Sequence, residues 1–159
     1  MTNIYGLDKV KQGRKKMNRL SDLSESVIFP KGNEITNGNF TGIAWVEVLV
    51  PNDDIFNCRV YNVTFSPGAR TDWHRHPGGQ ILLITGGKGY FKEEGKPVQP
   101  LQRGDVVKIN PNVKHWHGAT ADSWFVHIAI PTNRHKGSAE WLGPVTDEEY
   151  NNVKSKKQN

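Results

Sequence analysis

Residues 68–86 read GARTDWHRHPGGQILLITG, and this stretch decides both the architecture and the chemistry expected of the chain. His74 and His76 are two positions apart, so on an extended strand both rings leave the same face, roughly 6–7 Å apart at the backbone. Two imidazoles so placed can grip one ion. Pro77-Gly78-Gly79 then turns the chain, and Gln80, just past the turn, is positioned to return a carbonyl oxygen to the same point. Another ligand has to come from a distant segment, because closing a metal site in a barrel requires donors from separate strands. His115 meets this need: Gly104-Asp105, Val106-Val107 and Asn110-Pro111-Asn112-Val113-Lys114 read as turn, strand, turn, after which His115 enters a strand pointing inward.

From Phe40 onward, short apolar runs alternate with turn signals, the spacing of an antiparallel sandwich or barrel. Strands are expected at Ile43–Val50, Arg59–Phe65, Gln80–Thr85, Gly89–Glu93, Val106–Ile109 and Ser123–Ile130. The breaks between them are Pro51-Asn52-Asp53-Asp54, Ser66-Pro67-Gly68, His76-Pro77-Gly78-Gly79, Gly86-Gly87, read as a hairpin turn, and Asn110-Pro111-Asn112. A short helix is expected near Thr146–Asn152, with Thr146 as cap and Glu149 three residues later. The reading is an all-β, single-domain barrel: residues 35–145 form the barrel, 1–34 a basic N-terminal extension that is partly ordered or helical, and 146–159 a short helix and basic tail.

A chain of 159 residues supports one domain with a real core. Its net charge of +5 raises nucleic acid as a partner. The charge sits in the tails, however: residues 21–150 carry 12 basic against 15 acidic side chains. That excludes a nucleic-acid surface on the body. Cys58 is the single cysteine, so no internal disulfide forms, and it is expected in the core. No apolar run approaches the roughly 20 residues that cross a bilayer. A soluble, cytoplasmic protein with no membrane partner is expected.

Five of the six histidines lie between residues 74 and 127. Two His-x-His pairs, His74/His76 and His115/His117, fall on β segments of one small domain, and a buried imidazole cluster without a metal is costly to desolvate. His127 sits in the apolar strand Trp124–Ile130, where burial would lower its pKa and make it a competent general base beside a metal. His117 reads as a partner behind the ligands, and His135 as solvated. Trp73, Trp116 and Trp124 are expected to wall the pocket or core, with Tyr61 and Val63 also beside the pocket, while Trp45 and Trp141 read as packing residues.

These residues carry a resemblance. Gly68 to Gly86 is similar to the first cupin motif, with Gln80 where many cupins have glutamate; Gly104-Asp105, Asn110-Pro111-Asn112 and His115-Trp116-His117-Gly118 resemble the second. More narrowly, PGARTDWHRHPGGQ, GDVVKINPNVKHWHGA, HIAI and VTDEEY resemble the bacterial manganese-dependent cupin hydroxynitrile lyases. Similarity runs from about Phe40 to Tyr150, and residues 1–34 have no counterpart. The resemblance implies a double-stranded β-helix (jelly-roll) barrel, metal ligands at His74, His76, Gln80 and His115, manganese as the metal, and an acid–base role for His127. Tyr61 and Pro131 look bulkier or stiffer than that family suggests, which points to a different substrate.

Three neutral imidazoles and a neutral amide leave the charge of a divalent ion uncompensated, so the site is expected to favour anions. Nitrogen and hard oxygen donors suit manganese, iron, nickel, cobalt or zinc. Three functions follow: a metal-dependent lyase-like enzyme on a small organic molecule, with hydroxynitrile cleavage or formation as its specific version; a cupin dioxygenase with a redox metal; or a non-catalytic small-ligand-binding barrel. A small-molecule substrate and a homodimer paired through sheet edges around Ile43–Val50 are the expected partners.

Overall fold

A computed structural model describes residues 28–52 and 55–155. The expected helical character of the N-terminal extension falls largely on residues 1–27 and lies outside the described residues. Twelve strands form the body: β1 Asn33–Glu34, β2 Phe40–Thr41, β3 Ala44–Val50, β4 Val60–Phe65, β5 Arg70–Thr71, β6 His74–Arg75, β7 Gln80–Glu93, β8 Gln99–Gln102, β9 Val106–Ile109, β10 His115–Ala119, β11 Phe125–Pro131 and β12 Glu140–Trp141. A helix, α1, spans Asp147–Ser155. All strand pairs are antiparallel. The all-β class with one short C-terminal helix is as the sequence predicts.

One face of the barrel runs β1-β3-β4-β11-β7-β9. The other runs β8-β7-β10, with β5 and β6 side by side along the far edge of β10 and covered by β2 and β12. Strand β7 therefore belongs to both sheets. Gln80–Gly87 pairs with β11 while Lys88–Phe91 pairs with β8, so the predicted hairpin at Gly86-Gly87 is instead the bend of one continuous strand. The reason is steric. Gly87 has φ +68°, and a Cβ there would lie 1.8 Å from the Trp124 carbonyl oxygen. Only glycine lets the strand pass this close, and a register shift at Val126/His127 absorbs the change of direction.

Between the sheets lies an apolar core that includes Phe65, Leu82, Ile84, Val107, Ile109 and Phe125. A second cluster, Tyr90, Trp116, Val145, Tyr150 and Val153, seals the outside of β10 under α1. The predicted cap forms reciprocally: the Glu149 amide donates to Thr146 Oγ1 (3.1 Å) and the Thr146 amide to Glu149 Oε2 (2.8 Å). Helix α1 runs three residues past the predicted end. Cys58 is half-buried just before β4 rather than in the core, because the chain there has not yet entered the sheet. No helix among the described residues is long and apolar enough to cross a membrane.

Candidate metal centre

The barrel opens into a cavity of about 350 Å³. Strand alternation decides which side chains reach it. Residues Val63 and Tyr61 on β4 pair with His127 and Ala129 on β11, and all four line the cavity together with Pro131 at the end of β11. His115 pairs directly with His74 across β10 and β6, so both rings stand on one face, their centroids 4.2 Å apart. His117, two residues along, joins them from the same face. The ring nitrogens of His74, His115 and His117 all lie within 4.8 Å of one another, a cluster that can hold a metal ion.

His76 approaches from just beyond β6, its ring centroid 5.2 Å from that of His74 and 5.8 Å from that of His115. The turn behind it is fixed tightly. The Gly79 amide donates to the His76 carbonyl (3.0 Å), and a Cβ on Gly78 would lie 2.0 Å from the Thr132 carbonyl oxygen, so the turn packs flat against the chain leaving β11. Thr132 Oγ1 and Asn133 Nδ2 both donate to the Gly78 carbonyl (2.7 and 3.0 Å). This clamp sets where β7 starts and places buried Gln80 opposite Pro131.

Two ligand candidates are oriented from behind. His74 Nδ1 donates to the Asp72 carbonyl (2.9 Å) and His115 Nδ1 to the Val113 carbonyl (2.8 Å). This fixes the tautomer that leaves Nε2 free to bind a metal, the arrangement common in metal-binding histidines. Among the described residues, the buried side-chain nitrogen and oxygen atoms without a hydrogen-bond partner are Thr64 Oγ1 and then only groups of the cavity or of the histidine cluster beside it: His76 Nε2, Gln80 Oε1, His115 Nε2 and both ring nitrogens of His117 and of His127. Buried polar atoms are ordinarily paired, so their concentration here marks a site built for a further ligand. The donor set of imidazole nitrogens and one amide oxygen fits a divalent transition metal.

Burial removes the charge from these rings. Desolvation, reinforced by His115 for His76, lowers His76 to about 4. Desolvation likewise lowers His115 to about 4 and His127 to about 3. It holds His74 and His117 well below the ordinary histidine value, with the neighbouring imidazoles adding to it. All five are therefore neutral at pH 7, the form that binds metal. His127 is fully buried between Phe65 and Phe125, 5.5 and 5.4 Å between centroids, and meets His117 edge-on at 4.8 Å.

Among the tryptophans, Trp141 departs from expectation. Trp141, read as packing, lines the cavity and stacks on His74 at 4.8 Å. Trp116 lies between His115 and His117 in sequence, so the alternation of β10 sends it outward onto Tyr150 and into the second core cluster. Trp124 packs on Trp45 (5.6 Å) outside the cavity. His135 is exposed in a short 3-10 turn. Nothing in the spacing around Trp141, which lies on a two-residue strand ahead of the helix, marks it for the cavity.

Residues 61–131 match the Cupin domain family. The chain is 41% identical over 111 residues to an (R)-mandelonitrile lyase of Granulicella tundricola, covering 70% of this chain and 85% of that one. It is similar to the crystal structure of a cupin-like protein from Thermotoga maritima, with a TM-score of 0.78, 55% identity, and coverage of 80% of this chain and 96% of that one. A DMSP lyase from Ruegeria pomeroyi shares the fold, at a TM-score of 0.55 and 21% identity over 65% of this chain and 54% of that one.

Proposed function

The chain belongs to the cupin family, and from that premise we propose that it is a metal-dependent, lyase-like enzyme for a small organic molecule, with cleavage or formation of a hydroxynitrile as its specific reaction. One observation carries this reading: the buried, unpartnered donor atoms are gathered almost entirely at a single cavity. The proposed ligands are His74, His76, Gln80 and His115. His74 and His115 have their second nitrogen committed to backbone carbonyls. The Gln80 carbonyl would otherwise be a buried unsatisfied acceptor, a loss of about 1–3 kcal/mol. His117 then stands between this set and His127. The likeness to a mandelonitrile lyase supports the hydroxynitrile reaction, and manganese is the metal proposed for the site.

A divalent ion held there supplies Lewis-acid stabilisation of negative charge on a substrate oxygen. The rest falls to the protein. His127, neutral because burial holds it near 3, takes the substrate hydroxyl proton. The carbon–carbon bond to the nitrile breaks, its electron pair leaves with cyanide, and the proton returns to give hydrogen cyanide and a carbonyl product. A base this weak holds a proton only beside developing negative charge, so the transfer is tied to bond cleavage. Phe65 and Phe125 keep water from the ring.

Elemental analysis of untagged protein is expected to find a divalent metal in about stoichiometric amount. Mandelonitrile cleavage is expected in the native protein, with at least about a hundredfold loss in His127→Ala. Unchanged cleavage in that variant removes His127 from the mechanism, and a protein purified without metal overturns the reading.

A further inference from the structure

The cavity has a polarity that metal binding does not require. Arg59, Tyr61, Val63 and Phe65 line it at a period of two, so one strand face passes from charged at the rim to apolar in the interior. Continuing the β4–β11 ladder two pairs beyond Tyr61–Ala129 brings Arg59 level with Pro131, which itself pairs with Gln80. Two strand spacings, about 10 Å, thus separate the Cα atoms of Arg59 and Gln80. Three residues beyond Pro131, the 3-10 turn carries Arg134 to the same cavity.

These two guanidinium groups differ from their neighbours. Arg70 and Arg75 have carboxylate partners, Asp147 and Glu140, each at 2.7 Å. Among the described residues Arg59 and Arg134, both half-buried, form no ion pair, and Arg59 donates to the Tyr61 hydroxyl at 3.3 Å. Among the described residues no aspartate or glutamate lines the cavity, and the formal charges they bring to it are all positive. A guanidinium fork matches a carboxylate in shape as well as charge, and Val46, Val63 and Ala129 beneath it form an apolar wall for a carbon skeleton.

We propose that the substrate is a small organic carboxylate, held at the rim by Arg59 and Arg134 with the Tyr61 hydroxyl as an added donor. Its reacting end points toward the histidines. The inference rests on the proposed function for the position of that end and deepens it by naming the substrate class; an uncharged hydroxynitrile is then a truncated stand-in.

The test is isothermal titration calorimetry of the full, metal-loaded chain with 4-(hydroxymethyl)benzoate and with 4-(hydroxymethyl)benzamide, which share ring and hydroxyl, carry the carboxylate or amide at the opposite end, and differ in charge. The benzoate is expected to bind at least about tenfold more tightly. Arg59→Gln and Arg134→Gln are each expected to weaken the benzoate by about tenfold while leaving benzamide binding and metal content unchanged. Equal affinity for the two ligands overturns the proposal. A preference for the benzoate that survives in both variants also overturns it, since the ion alone would then select the anion and the metal reading would stand. If the protein carries no metal, the proposed function fails, yet the same titrations still decide the role of the arginines.

Discussion

On strand β10, His115, His117 and Ala119 face inward while Trp116 and Gly118 face outward, and all five residues are buried. Outside, two polar groups beside Trp116 are paired: the Tyr150 hydroxyl donates to the Ala119 carbonyl (2.7 Å), and Arg70 donates through Nε and Nη2 to the Val145 carbonyl (3.1 and 2.9 Å). Inside, His115 Nε2 and both ring nitrogens of His117 have none. Equal burial thus serves two ends. A satisfied polar group holds α1 against the sheet, whereas an unsatisfied one keeps binding capacity in reserve at some expense in stability.

The sharpest way to break this contrast is on the inner face. His115→Ala removes a ligand oriented by its own backbone contact, and metal affinity is expected to fall by more than about a hundredfold, measured by competition with a chelator, while the fold survives. A titration of metal-stripped protein probes the same face. His76 and His115 are held near 4 when folded, against about 6.5 when unfolded. The unfolded chain therefore takes up protons first as the pH falls. Their contribution is fully present above pH 6.5 and is lost between 6.5 and 4, a decline on the order of 2–4 kcal/mol between pH 7 and pH 5. Thermal melts followed by circular dichroism should show it, and bound metal should shift the decline to lower pH. On the outer face, Arg70→Ala leaves the Val145 carbonyl unpaired and is expected to lose about 2 kcal/mol in urea unfolding with metal content unchanged. Metal loss in that variant would mean that the two faces are not separable.

Much of this division could be read in advance. His-x-His at 74–76 and again at 115–117 announces rings on one side of extended chain, and the Thr146/Glu149 box announces the start of the helix. Other features depended on contacts that spacing cannot convey. Gly86-Gly87 has the composition of a turn, and only the carbonyl of Trp124, brought near by folding, shows that a strand runs through it. Trp116 and Trp141 look alike as letters, and the parity of β10 and the pairing of β12 with β6 send one to the outer core and the other to the cavity. Arg59 and Arg134 are 75 positions apart in the chain and come to line one cavity only through the fold.

The bent strand β7 has a further consequence. Because its backbone hydrogen bonds are divided between both sheets, neither sheet can open without loosening the other. Local fraying is confined to the short edge strands, and the slowest-exchanging amides on the two halves of β7 should be released together, in the same global unfolding event.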